Sequence, residues 1–170
     1  MGTPLHLNQP RAAKQLQARS ILRFARSRRR YIVGAVQASG VKTIVIVDDE
    51  MSFTELLGSM LGEHFSCPIL TFGNPLTAAE ALPRLNVGVL VTDYYMPHIN
   101  GLDLIKQAGN LQPPPPSLLI TGHTFEDDED ETARMPHFKA ILPKPFRWQQ
   151  LASLIEEHWP AGETPPLRKK

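Results

Sequence analysis

The stretch Thr43-Ile-Val-Ile-Val-Asp-Asp-Glu50 decides the fold class of this chain. Its first five residues form a continuous β-branched run, which is typical of a strand that is buried on both faces of a sheet. Three acidic residues follow at once. Apolar residues then recur at three- and four-residue spacing within 53–61, which predicts a helix of about three turns. A buried strand followed by an amphipathic helix is the first half of a βαβ unit.

The same alternation continues along the chain and predicts five βα units. Parallel strands joined by helical crossovers need helices on both faces of the sheet, so the predicted fold class is α/β. The further strands are predicted at 68–72, 87–92, 117–121 and 140–142, and the further helices at 75–85, 101–108, about 126–135 and 146–158.

The charges of the chain are segregated, although its formal net charge is only +1 over 170 residues. Residues 1–47 contain nine Lys and Arg and no acid, whereas residues 48–170 carry all 17 acids. We therefore expect three parts: a basic extension over 1–40 that is disordered or partly helical, a globular domain over 41–160, and a loose tail over 161–170.

Composition also excludes several classes of protein. The chain has a single cysteine, Cys67, which cannot form an internal disulfide or supply a thiolate zinc cluster, and this fits a reducing, cytoplasmic compartment. No apolar run approaches the length of about 18 residues that a membrane-spanning helix needs. The six histidines show no metal-ligand spacing.

The basic extension admits several interpretations. An arginine-rich, acid-free segment with a partial apolar stripe could contact nucleic acid or an anionic membrane surface, and it also has the composition of an organellar transit peptide. We favour the simpler interpretation, a disordered extension or an artefact of choosing an upstream start codon. The segment has no helix-turn-helix pattern, so we do not expect nucleic acid as a partner.

Polar residues follow the predicted strands at the points where ligands bind in parallel α/β sheets. Clustered carboxylates suit Mg²⁺, an aspartate can attack phosphorus, and a lysine can neutralise a transferring phosphoryl group. The sequence therefore predicts a site that accepts a phosphoryl group. Its candidate residues are Asp48 and Asp49 after the first strand, Asp93 after the third, Thr121 at the end of the fourth and Lys144 after the fifth.

Four motifs give this pattern a family resemblance over residues 41–158. They are Val45-Ile-Val-Asp-Asp-Glu50, Val91-Thr-Asp-Tyr-Tyr-Met-Pro97 followed by Gly101, Leu119-Ile-Thr-Gly122, and Lys144-Pro-Phe146. Together they resemble the receiver domain of two-component response regulators, in the single-domain form typical of chemotaxis regulators. The resemblance implies a flavodoxin-like three-layer sandwich with a five-stranded parallel sheet in the order 2-1-3-4-5.

The resemblance also implies a bacterial, cytoplasmic signalling protein of a phosphorelay, which catalyses only its own phosphorylation and slow dephosphorylation. Its partners would be a histidine kinase or histidine phosphotransfer protein, a downstream protein that the sequence does not identify, and a second copy of the chain in a homodimer. Asp93 would become 4-aspartylphosphate. The resemblance also implies that Asp49, Asp93 and the Tyr95 carbonyl bind Mg²⁺ directly, and that Asp48 binds it mostly through water. Thr121 and Lys144 would contact the phosphoryl group and take part in the switch.

Some features depart from the family pattern. Ile141 stands three residues before Lys144, where an aromatic commonly acts as a switch, and Phe138 lies three residues earlier still. A receiver-like module that binds partners irrespective of phosphorylation therefore remains an alternative. A haloacid-dehalogenase-type hydrolase would need an acid where the chain has Tyr95. Taken alone, the acids at 48–50 could also be a helix cap.

Overall fold

The computed structural model describes residues 40–122 and 132–169. The predictions for the basic extension and for most of the acidic segment near 126–135 lie outside these residues. No helix in the described part of the chain is long and apolar enough to cross a membrane.

The described residues contain five strands and four α-helices, which alternate except that β5 is the next described element after β4. The first strand begins at Thr43 and the last helix ends at Glu157, both inside the range 41–160 predicted for the domain. The strands are β1 (Thr43–Val47), β2 (Ile69–Phe72), β3 (Val87–Asp93), β4 (Ser117–Thr121) and β5 (Phe138–Pro143), and the helices are α1 (Met51–His64), α2 (Pro75–Ala81), α3 (Gly101–Ala108) and α4 (Trp148–Glu157).

The strands form one parallel sheet in the order β2-β1-β3-β4-β5, which confirms the predicted topology. All five residues of β1 are buried, as expected of a central strand covered on both faces. One face packs against α1 and α4, where Ile44 and Ile46 meet Leu57, Leu61 and Ile155. On the other face, α3 contacts β3 and β4, and α2 contacts α3.

Several predicted elements differ by a few residues from the observed ones, and for two of them prolines explain the limits. The helix predicted at 75–85 ends as an α-helix at Ala81 and continues as a 3₁₀ turn over Leu82–Arg84, because Pro83 has no N–H to donate. Strand β5 is longer than the predicted 140–142 and includes Pro143. It tolerates this proline because it is the edge strand.

The C-terminal segment is attached to the domain and is not the loose tail that its composition predicts. Leu167 forms an antiparallel bridge with Phe65, just after α1. The main-chain N–H of Arg168 donates to the carbonyl of His64 at 2.8 Å, and its Nε donates to the carbonyl of Gly62 at 2.7 Å. These bonds satisfy carbonyls that the end of a helix leaves without intrahelical partners.

Candidate functional site

The carboxyl ends of β1, β3 and β5 bring Asp48, Asp93 and Lys144 into direct contact. The ammonium nitrogen Nζ of Lys144 lies 2.6 Å from Oδ1 of Asp93 and 2.8 Å from Oδ2 of Asp48. Because β1 and β3 are neighbours in the sheet, the two carboxylates leave it side by side. Three of the predicted site residues therefore form one bridged cluster, with two negative charges facing one positive charge.

The two carboxylates of the cluster are buried. Asp48 is 2% exposed and Asp93 is 7% exposed, so their charges are poorly hydrated. Burial raises the pKa of the Asp93 carboxyl above its ordinary value, and the charge of Asp48 adds to this, although Lys144 offsets part of the rise. Burial also works to lower the pKa of the Lys144 amine. Its hydrogen bonds to Asp48 and Asp93 outweigh that effect and raise the pKa.

The acids after β1 do not act as a helix cap. Glu50 occupies the N-cap position of α1, but its side chain makes no capping hydrogen bond and the first turn contains no acid. Asp48 instead accepts the main-chain N–H of Glu50 on Oδ1 at 2.8 Å and the Lys144 ammonium on Oδ2. Asp49, the next residue in the chain, is exposed. The structure thus separates a buried acid from an exposed one.

The loop after β3 fixes the second oxygen of Asp93. The main-chain N–H of Tyr95 donates to Oδ2 of Asp93 at 2.9 Å, while Tyr95 as a whole is 58% exposed. Gly101, which the sequence marks eight residues after Asp93, donates its N–H to the carbonyl of Tyr94 at 2.9 Å. A Cβ at position 101 would overlap the main-chain carbonyl of Asp93. The glycine is therefore required by the close approach of α3 to the end of β3.

Thr121 lies at the end of β4, buried at 4% exposure, and pairs with Pro143 of β5. Its carbonyl accepts the main-chain N–H of Lys144 at 2.7 Å. This bond anchors the backbone of Lys144 at the edge of the sheet, next to the two carboxylates. A contact of the Thr121 hydroxyl with a phosphoryl group stays a prediction.

Phe138 lies far from the cluster of Asp48, Asp93 and Lys144. Phe138 pairs with Ser117 at the start of β4, whereas Thr121 is at the other end of that strand. At about 3.3 Å per residue, four residues separate them by about 13 Å. Ile141 pairs with Leu119 in the middle of the strand. No aromatic side chain of β5 therefore lies beside Thr121.

Sequence reasoning missed one member of the site, Phe53. Its ring lies under the Lys144 ammonium, with 4.9 Å between Nζ and the ring centroid. The apolar spacing of α1 assigned Phe53 to the helix face that packs on the core, and it does pack there. Its second role depends on how α1 and β5 meet, and no local pattern in the sequence reports that.

The cluster suits a divalent cation only if main-chain or water oxygens complete its coordination. Across residues 40–122 and 132–169, no three His, Cys, Asp or Glu side chains are positioned to hold a metal ion by themselves. Two buried carboxylates share one ammonium, however, so negative charge is in excess. Mg²⁺ commonly uses one or two carboxylates and keeps several waters, which fits this donor set.

Comparisons with known proteins point in the same direction. The family model described as the response regulator receiver domain matches residues 44–156. The hydrogenase transcriptional regulatory protein HoxA of Bradyrhizobium diazoefficiens is 30% identical over 115 residues, which cover 68% of this chain and 23% of that protein. The transcriptional regulatory protein FixJ of the same organism is 29% identical over 113 residues, covering 66% of this chain and 54% of FixJ.

Solved structures show the same fold. The chemotaxis protein CheY4 of Vibrio cholerae aligns with a TM-score of 0.60 at 19% identity, covering 69% of this chain and 98% of that one. At this identity the likeness concerns the fold alone. HoxA and FixJ are longer proteins, and the chain spans 23% and 54% of their lengths respectively.

Proposed function

Because the chain belongs to the response regulator receiver-domain family, we propose that it accepts a phosphoryl group on Asp93 in a two-component phosphorelay. The observation that carries the proposal is the bridged cluster of Asp48, Asp93 and Lys144 at the carboxyl ends of β1, β3 and β5. Phosphorylation and magnesium are typical of this family. The donor would be a histidine kinase or a histidine phosphotransfer protein.

The chemistry follows from the Asp93 carboxylate. One of its oxygens attacks phosphorus, the bond between phosphorus and the donor breaks, and the donor leaves with the bonding electron pair. Lys144 and the N–H of Tyr95, which already contact the two Asp93 oxygens, are placed to donate to the new phosphoryl oxygens. Attack by water on the acyl phosphate later restores the carboxylate and releases inorganic phosphate.

Mg²⁺, when bound, would neutralise negative charge on the transferring phosphoryl group. Its ligands would be Asp49, Asp93 and the Tyr95 carbonyl, with Asp48 acting mostly through water. Asp48 is the most buried of these side chains and is held by Lys144, which suits an indirect role. Asp49 is exposed beside it and has room to coordinate a hydrated ion.

The output of phosphorylation would be a change in protein contacts. Added negative charge on Asp93 would strengthen its interaction with Lys144 and draw in the hydroxyl of Thr121, shifting the face built around β4 and β5. A downstream protein, or a second copy of the chain, would read that face.

Intact-mass measurement tests the proposal directly. The protein is incubated with acetyl phosphate in the presence of Mg²⁺ or EDTA, together with Asp93→Asn. Asp103→Asn is a matched control, because Asp103 lies on α3 away from the cluster, with its side chain 46% exposed and paired with Lys106. One added phosphoryl group should form on the wild type and on Asp103→Asn. It should be missing in EDTA and on Asp93→Asn; an adduct that persists on Asp93→Asn would refute the assignment.

One observation favours a second candidate, a receiver-like module that binds partners regardless of phosphorylation. Ile141 replaces the usual switch aromatic, and Phe138 lies too far from Thr121 to take over its role. For such a module, partner binding would be equal for wild type and Asp93→Asn, with and without acetyl phosphate.

A further inference from the structure

The ammonium group of Lys144 has an aromatic neighbour in addition to its two carboxylate partners. Its Nζ lies over the ring of Phe53 at 4.9 Å from the centroid. Phe53 is the third residue of α1 and is half-buried. A cation at this distance over an aromatic face is attracted by the negative face of the ring quadrupole.

The orientation of the Phe53 ring is itself supported. Phe146 meets it edge to face, with 6.0 Å between ring centroids and an interplanar angle of 83°. Phe146 follows Lys144 by two residues, so one short segment supplies both the ammonium and the second ring. Edge-to-face pairs of this kind are a favoured arrangement of aromatic side chains.

The Lys144 side chain is 30% exposed, so water competes for its ammonium. The lysine side chain has four methylene groups joined by rotatable bonds and ends in a strongly hydrated ammonium group, so it readily adopts other rotamers. The Phe53 face covers one side of the ammonium while Asp48 and Asp93 occupy others.

We propose that Phe53 is a positioning residue that holds the Lys144 ammonium between Asp48 and Asp93. This inference rests on the proposed function, since the positioned ammonium is the group that would meet the incoming phosphoryl. Phe53 touches neither the phosphoryl group nor its donor. It acts by lowering the fraction of Lys144 side chains that turn out to solvent.

Loss of the Phe53 ring should have opposite effects on Mg²⁺ binding and on phosphorylation, which general structural damage would not produce. Lys144 and a divalent cation compete for the negative charge of the same carboxylates. If the ring is lost, Lys144 spends less time between them, so Mg²⁺ should bind more tightly while phosphorylation becomes slower. A merely structural defect would weaken both.

The test compares Phe53→Leu, which removes the ring but stays apolar, with Phe53→Tyr, which keeps an aromatic face. Phe138→Leu is the matched control, because Phe138 is also half-buried but lies at the opposite end of the sheet. Three quantities are measured: the proton chemical shift of the Lys144 ε-methylene in metal-free protein, the Mg²⁺ dissociation constant by calorimetry, and the rate of phosphorylation by acetyl phosphate.

We expect the upfield ring-current shift of the Lys144 ε-methylene to be present in wild type, Phe53→Tyr and Phe138→Leu, and lost in Phe53→Leu. In Phe53→Leu the phosphorylation rate should fall by about 2- to 30-fold, the range expected for one cation–π contact. The Mg²⁺ dissociation constant should fall as well, and Phe53→Tyr should restore both values towards those of wild type.

The proposal is overturned if Phe53→Leu keeps the Lys144 shift, if it weakens Mg²⁺ binding and phosphorylation together, or if Phe53→Tyr behaves like Phe53→Leu. If the proposed function itself is wrong, the same measurements give a different set of results. The wild type would then form no phosphoryl adduct, while the Lys144 shift and the Mg²⁺ titration would still report on Phe53.

Discussion

Asp48 and Lys144 are 96 residues apart in the chain, yet the ammonium nitrogen of Lys144 lies 2.8 Å from Oδ2 of Asp48. This contact joins the interior strand β1 to the segment after the edge strand β5. Asp93 of β3 completes the bridge at 2.6 Å. The cluster is therefore also a link between strands that are not neighbours, so its charges bear on the stability of the fold as well as on the proposed phosphoryl transfer.

Replacing Lys144 with methionine should destabilise the metal-free protein. The change leaves two buried carboxylates without their shared counter-charge, and breaking a partly exposed pair of this kind costs about 1–3 kcal/mol. Urea unfolding in EDTA measures the loss in free energy of unfolding. Adding Asp93→Asn to the same chain should recover part of it, because one of the two repelling charges is removed. Lys106→Met on the surface of α3 is the control, and equal stability of the two methionine variants would contradict the argument.

Gly101→Ala should lower both stability and phosphorylation. Its methyl group would overlap the main-chain carbonyl of Asp93, so α3 or the end of β3 must shift, at a cost of about 1–3 kcal/mol. Gly62→Ala in α1 is the matched control, because a Cβ there meets nothing within 4 Å and alanine favours a helix. Thermal unfolding of the two variants decides the point, and equal melting temperatures would show that the close approach at Gly101 is not tight.

Cys67 should make the protein less stable at alkaline pH. Burial raises the pKa of its thiol above the ordinary value of 9.0, so the unfolded chain ionises first as the pH rises. The free energy of unfolding of wild type relative to Cys67→Ala should be constant below pH 9.0 and should decrease above it. Urea titrations of both proteins over this range provide the measurement. A relative stability that rises with pH would have the wrong sign.

Removing residues 161–170 should destabilise the domain. The truncation deletes the Phe65–Leu167 bridge, whose two hydrogen bonds are Ser66 N–H to the Pro166 carbonyl and Arg168 N–H to the His64 carbonyl. It also deletes the hydrogen bonds from Ser66 Oγ to Pro166 and from Arg168 Nε to Gly62, and the ion pair of Lys42 with Glu163. Hydrogen bonds at about 0.5–1.5 kcal/mol each predict a loss of a few kcal/mol, reduced by the entropy that the freed segment regains. Removing only Lys169 and Lys170 should change little. The midpoint of urea unfolding distinguishes the two chains, and a full truncation as stable as the full-length chain would show that the segment is only loosely attached.

Local patterns in the sequence were sufficient for most of the fold. The strands at 43–47 and 117–121 were predicted with the bounds that the structure gives. Residue type and chain direction also placed Asp93 and Lys144 at the same edge of the sheet, since parallel strands end together. The ends of elements that contain proline were harder to predict. Pro83 converts the end of α2 into a 3₁₀ turn, and Pro143 is tolerated in β5 only because β5 is an edge strand.

By itself, the sequence determined the α/β fold class and the acidic and basic residues that meet in the cluster, because periodicity and strand ends are local properties of the chain. The strand order was implied by the family resemblance. The tertiary structure decided which acid is buried, Asp48 rather than Asp49, and which aromatic ring meets the ammonium of Lys144. It also decided that residues near Leu167 pack against the end of α1. These are contacts between segments far apart in the chain, and their geometry depends on how helices and strands pack, which no short stretch of residues specifies.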